Sequence, residues 1–330
     1  MIKPLVENFY DVKEFDHRCV AKLQDFFDLD FAARDPDQYR QYFQNLKVLA
    51  GQNLGLAHCV IHNQSARNTV ALAYQHTKLA CFDRPYGTNI GAYSFRKPVI
   101  DEQLILDGNH IRGVKKWSSQ LHNSDFIVLT TINTQEQRSW VFIDLHKVPH
   151  HIVNARDGTL GMEIAQASDL EIDFELPADW IINNRVPVEH MKKVISFHNY
   201  QLNTNYLGGA RGLLDLVTEL CDSRGYSVGH SIKTLDLQLR VLESLWIKNL
   251  DSPLEPLDDQ AWSIRDSQYQ FGKKTMIDII NFCMQMFNSN MYQAENPKSQ
   301  LFRDALVLSS HMTNLYRNLD APEQNEVRKW

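Results

Sequence analysis

The chain has 330 residues, of which 43% are hydrophobic and 22% charged, and its formal net charge is -6. This composition predicts an ordinary soluble globular protein of two or three domains, and its mild acidity excludes the basic face that nucleic acid or anionic membrane would require. Cys19, Cys59, Cys81, Cys221 and Cys283 lack CxxC spacing, and neither a secretory leader nor a bilayer-length apolar run stands out, so reduced thiols in a cytoplasmic protein are expected.

The predicted elements fall into three parts. Residues 1–82 read as a helical domain: apolar residues recur at helical spacing from Val12 to Phe27, and Asp35-Pro36 makes a helix start before Tyr39 to Leu49. A third helix runs from Leu54 to Tyr74, its mixture of small and apolar residues implying burial on more than one side. Residues 83–187 change character. The runs QLILDGNHIRGVKKWSS, DFIVLTTIN and SWVFIDLH predict strands, with shorter ones near Met162 to Ala165 and Leu170 to Phe174, so this part is expected to form a β-barrel or sandwich. Residues 188–330 return to helices: one long helix from Val188 to about Arg224, then Ile232 to Asn249, Asp259 to Phe287 and Ser299 to Leu319, a bundle of four. Gly208, Gly209 and Gly212 inside the long helix predict the close approach of a neighbouring helix or a ligand.

Two segments carry a family resemblance. The stretch Gln285 to His311, QMFNSNMYQAENPKSQLFRDALVLSSH, ends in an Arg303-Asp304 pair at the start of the last helix. It resembles the C-terminal signature of the acyl-CoA dehydrogenase superfamily, where Q-I-x-G-G-x-G-[FY] precedes R-D. Gly113-Val114-Lys115-Lys116-Trp117-Ser118-Ser119 is similar to that family's G-x-K-x-W-I-T segment. The resemblance implies an α+β fold of the acyl-CoA dehydrogenase type, with a short N-terminal helical domain, a middle β-domain and a C-terminal four-helix bundle. It covers the chain from about Asp35 onward.

The resemblance also implies a flavin, FAD or FMN, and assigns its contacts by position. Trp117 would stack near the ring and Ser119 would bond its edge, while Arg224, Gln285 and Ser289 would reach the phosphate side from a neighbouring subunit. The chain departs from the family at several places. Asn288, Ser289 and Met291 replace the signature's glycines, and GTNIGAYSFRKP stands where the family has T-E-P-x-x-G-S-D.

The family's catalytic carboxylate is also missing from both of its usual positions. One holds Met312 and the other, ten residues before Gly208, holds His198. His311, seven residues beyond Asp304, instead resembles the two-component flavin monooxygenases of the same superfamily, which transfer one atom of dioxygen to a substrate. Histidine titrates near neutral pH, which suits handling one proton per cycle. His311 and His198 are therefore the expected catalytic pair. His58 and His62 share one helix face with no third ligand, so they read as core or groove residues and no metal site is expected. The implied activity is flavin-dependent oxidation of the monooxygenase kind, fed by a flavin reductase, in a homodimer or homotetramer. An acyl-CoA or acyl-carrier dehydrogenase with a relocated base is the alternative, and a non-catalytic binding or scaffold paralogue the third.

Overall fold

A computed structural model of the chain describes residues 8–13, 19, 22–23, 29, 35–73, 87–90, 104–135, 137–153, 161–227, 229–248, 259–287 and 299–308. Helix α1 (Pro36–Gln52) begins as expected: the Asp35 carboxylate accepts from the Asp37 N–H at 3.0 Å, and Pro36 occupies the first turn. Asn53 ends α1 and opens α2 (Leu54–Ala73), its side-chain oxygen accepting from the Leu56 N–H at 2.9 Å. The same amide donates to the carbonyls of Phe9 and Val12, tying an N-terminal turn to this junction. The helix expected from Val12 to Phe27 lies largely outside the described residues.

The middle of the chain forms one mixed sheet of eight strands. These are β1 (Gly87–Ile90), β2 (Leu104–Asp107), β3 (His110–Ser119), β4 (Phe126–Asn133), β5 (Arg138–Asp144), β6 (His151–Val153), β7 (Ala167–Glu175) and β8 (Ile181–Asn183), ordered β6-β7-β3-β2-β4-β5-β8. β1 and β2 occupy successive stretches of one edge of β4, both parallel to it. The predicted runs became β2 to β5 and β7, because their β-branched and aromatic residues fill a pleated surface buried on both sides around Ile127, Val141 and Ile143. Residues Met162 to Ala165 correct the expectation of a strand. Met162 has a φ of +57°, and the Ala165 N–H donates to the Met162 carbonyl at 2.9 Å, closing a 3-10 turn over Glu163–Ala165.

Helices α3 (Val188–Ser223), α4 (His230–Lys248) and α5 (Asp259–Phe287) follow, with a further helical stretch α6 at residues 299–308. The glycines of α3 serve helix packing. A β-carbon on Gly212 would lie 2.1 Å from the Gly51 carbonyl oxygen, and one on Gly208 2.3 Å from that of Lys47. Thus α1 and α3 cross with backbone against backbone, and any larger residue would hold them apart. Tyr42, Phe43, Phe197 and Tyr200 pack edge and face at this crossing, in a core that α1 and α2 share with α3, α4, α5 and α6. Arg211 fixes α4 against α3 by binding Asp236 at 2.6 Å and Glu243 at 3.0 Å, and Lys47 from α1 reaches the same Glu243 at 3.1 Å. Burial alone would raise the Glu243 pKa, but Arg211 and Lys47 outweigh it and hold the carboxyl below its ordinary value.

Candidate functional site

The α2–α3 interface is unusually polar. On α2, His58, His62 and Ser65 recur at i, i+4 and i+7 and so form one stripe. His198 and Gln201 on α3 face it. The Nε2 atoms of His58 and His62 lie 2.9 Å apart, so one proton lies between these two rings. The His62 and His198 ring centres are 6.0 Å apart. His198 Nδ1 meets the Ser65 hydroxyl at 2.9 Å, the hydroxyl donates to Gln201 Oε1 at 2.9 Å, and Gln201 Nε2 donates to the Tyr42 oxygen at 2.7 Å. Tyr42 is fully buried, which drives its pKa upward and keeps the phenol neutral.

His198 differs from the near-neutral titration expected of it. The residue as a whole is not fully buried, yet the surrounding protein lowers its pKa to about 3, burial contributing most and the neighbouring His62 next. At neutral pH it is an uncharged ring that forms hydrogen bonds and is a weak base. No carboxylate contributes to its shift. All three histidines keep partial exposure, whereas Asn63, Gln64 and Ser65 between them are buried. Among the described residues no group of His, Cys, Asp and Glu could hold a metal ion.

A second cluster lies at the end of β3. The β3–β7 register shifts between Lys115 and Ser118, so β3 carries an extra residue at Lys116-Trp117, and Gln120 just beyond has a φ of +56°. Ser119 closes the strand, half-buried. Ser118 and Ser168 pair across β3 and β7, and both hydroxyls are buried without a hydrogen-bond partner among the described residues. Two orphaned hydroxyls beside a strand distortion suit the polar edge of a planar ring, so these residues fit a flavin.

The Arg303-Asp304 pair is a structural clasp. Asp304 is fully buried and accepts from the Met162 N–H at 2.6 Å, the Gln300 amide at 2.6 Å and the Gly55 N–H at 3.2 Å. It therefore joins α6 to the start of α2 and to the turn after residue 160. Burial raises its pKa to about 6 despite these donors. Gly161 lets the turn approach, since a β-carbon there would lie 2.3 Å from the Arg303 carbonyl oxygen. Arg303 is buried beside Gln300 and stands 4.0 Å from Glu163.

The remaining expected site residues are spread more widely. Arg224 caps the C-terminus of α3 and Gln285 is exposed near the end of α5. Trp117 lies on β3, while Ser289 and His311 fall outside the described residues. The structure brings His198 together with His58 and His62, which sequence reasoning had left as core or groove residues. It also adds Ser65, Gln201 and Tyr42. Ser65 shares the polar face of α2 with His58 and His62, whereas Gln201 on α3 and Tyr42 on α1 gave no signal in the sequence.

In sequence the chain matches no protein-family model and no curated protein. In structure it is similar to butyryl-CoA dehydrogenase from Megasphaera elsdenii, with a TM-score of 0.71 at 14% identity over 89% of this chain and 86% of that one. Dibenzothiophene monooxygenase from Paenibacillus sp. A11-2 gives 0.67 at 13% identity over 90% and 93%. XiaF from Streptomyces sp., solved with FADH2 and glycerol, gives 0.67 at 13% identity over 89% and 84%. The chain thus has the acyl-CoA dehydrogenase fold. That fold is shared by dehydrogenases and monooxygenases, so it leaves the chemistry to the site.

Proposed function

We propose that this protein is a flavin-dependent oxidoreductase of the monooxygenase kind. The observation that carries the reading is the gathering of His58, His62 and His198 between α2 and α3, where a dehydrogenase would need a carboxylate to remove a proton. XiaF and the dibenzothiophene monooxygenase, both of this fold, make the chemistry available to it.

In this reading Trp117 and Ser119 hold the flavin ring, with Ser118 and Ser168 close by, and Arg224, Gln285 and Ser289 serve its phosphate side. Reduced flavin and dioxygen supply one oxygen atom to the substrate and release the other as water. His311 is the acid or base, and His198 holds the substrate through a neutral ring. Burial of the α2–α3 interface limits water at the reacting centre. Leu237, Val241 and Leu245 form an exposed apolar stripe along α4, which supports assembly into a dimer or tetramer.

The deciding experiment titrates the purified protein with FAD and FMN, oxidised and then anaerobically reduced, following absorbance and tryptophan fluorescence. Preferential binding of reduced flavin, with substrate-dependent oxygen uptake that His311→Ala uncouples from product, is the expected result. Tight binding of oxidised FAD, bleached anaerobically by acyl thioesters, would replace this reading with the dehydrogenase one that the likeness to butyryl-CoA dehydrogenase favours. No flavin binding in either state would leave a fold without this chemistry.

A further inference from the structure

His198, Gln201, Asn205, Gly209 and Gly212 follow one another along α3 at steps of three and four residues, and so share a face. The surroundings of the other four place Asn205. His198 and Gln201 meet Ser65 of α2, a β-carbon on Gly209 would lie 2.8 Å from Leu54 Cδ2, and one on Gly212 would meet Gly51 of α1. α2 and α3 therefore run antiparallel, and Asn205 faces the stretch of α2 between Leu54 and Ser65, which carries His58 and His62. Asn205 is fully buried, and neither its Oδ1 nor its Nδ2 has a hydrogen-bond partner among the described residues. Exchanging the two atoms changes nothing, since both are unmet. Asparagine is also a poor residue for a helix interior, and leucine has the same heavy-atom outline without the polar cost. Neither packing nor helix formation accounts for an amide at this place.

We propose that Asn205 is a specificity-determining residue at the inner end of the α2–α3 seam, where its carboxamide pairs with a neutral substrate group that presents an N–H beside a carbonyl-type oxygen. A carboxamide carries a donor and an acceptor side by side, so a group with the opposite pair satisfies both at once. Primary amides, lactams and nitrogen heterocycles with that edge qualify. A carboxylate, ester or ketone offers no donor, and an alkyl chain meets neither atom. Each would leave a buried polar atom unpaired, which is how such a site rejects close analogues. His198, two turns along the same face, is uncharged at neutral pH, so it does not favour an anion there. The three histidines are partly exposed and Asn205 is not, which makes them the outer layer of the seam. A molecule reaches the amide by parting the helices or turning those rings. That the bound molecule is the substrate rests on the proposed function; the pairing at Asn205 does not.

Nitrogen NMR on the whole chain labelled with 15N-asparagine reads the side-chain NH2 of Asn205, identified by its loss in Asn205→Leu. Benzamide and methyl benzoate, which differ in the amide N–H, are the probes. Benzamide should shift the Asn205 signal and methyl benzoate should not. Equal shifts, or none from benzamide up to its solubility, overturn the proposal. By titration calorimetry, Asn205→Leu and Asn205→Ala should each bind benzamide about tenfold more weakly or worse. At least one of the two should nevertheless melt no lower than wild type, because an unmet amide adds nothing to stability. If both melt several degrees lower, the amide already has a partner such as an internal water, and the proposal is overturned. Flavin titration separates substrate from cofactor, since flavin affinity should be the same in wild type and Asn205→Leu. Loss of flavin affinity in the variant would assign the amide to the cofactor ring and overturn the substrate class. Failure of wild type to bind flavin would overturn the proposed function while leaving the benzamide result standing.

Discussion

Replacing Asp304 by Asn should destabilise the protein in acid and cease to do so above neutral pH. The Asn side chain retains one oxygen for Met162 and Gln300 but turns an NH2 toward the Gly55 N–H, which thereby loses its acceptor. One buried donor left unpaired costs about 1–3 kcal/mol. Against this stands the charge. The wild-type carboxyl titrates at about 6 in the folded protein, against an ordinary value of 3.8, and is fully buried. Its folded-state pKa is raised, so the stability it contributes is complete below the unfolded value and is lost as pH rises through about 6. A shift of that size corresponds to roughly 3 kcal/mol of lost stability by pH 8. Asn has no such loss. The variant should therefore be about 1–3 kcal/mol less stable at about pH 3 and equal to or more stable than wild type at about pH 8. Urea unfolding at both pH values reads the difference. An equal destabilisation in acid and in base would refute the claim that a buried charge is held at the clasp.

Gly212→Ala should lower stability by about 2–3 kcal/mol, since its β-carbon meets a carbonyl oxygen rather than a flexible side chain and α1 must move from α3. Thermal unfolding should show a drop of several degrees, and an unchanged midpoint would mean the helices separate freely. Leu237→Glu with Val241→Glu should reduce the solution mass to that of a monomer by light scattering, because both side chains lie on the exposed stripe of α4. A mass unaltered from wild type would show that the stripe is not the assembly surface.

The long elements were legible because each is a sustained period with punctuation. Asp259–Phe287 and Leu54–Ala73 are both helical within their expected spans. β4 and β5 were legible because they are dense in β-branched and aromatic residues. β1, β6 and β8 were not singled out: strands of three or four residues owe their pairing to distant partners rather than to their own composition. The 162–165 turn was misread for the same reason. Its apolar residues look like a strand, but Asp304 and the backbone of Arg303 impose the turn from the far end of the chain. At the site, His58 and His62 were visible as one face, whereas their meeting with His198 depends on how α2 and α3 pack. Ser65, Gln201 and Tyr42 are ordinary helix residues until a hydrogen bond joins them.

The residues that carry the family resemblance therefore do different work. Arg303-Asp304 and Gly208, Gly209 and Gly212 are explained within the described fold: they hold α6 to α2 and bring α3 against α1 and against Leu54 at the start of α2. These contacts would be needed by any protein of this shape, whatever it bound, so they support the fold and say little about chemistry. The histidines are the reverse case. Three half-buried imidazoles between packed helices give the core less stability than aliphatic side chains would, and Leu or Ile at 58, 62 and 198 would fill the same seam without the cost of desolvating polar rings. Their presence, and the hydrogen-bonded chain that orients one of them, is what the fold alone does not require. Under the proposed function, it is there that a bound molecule supplies the missing reason.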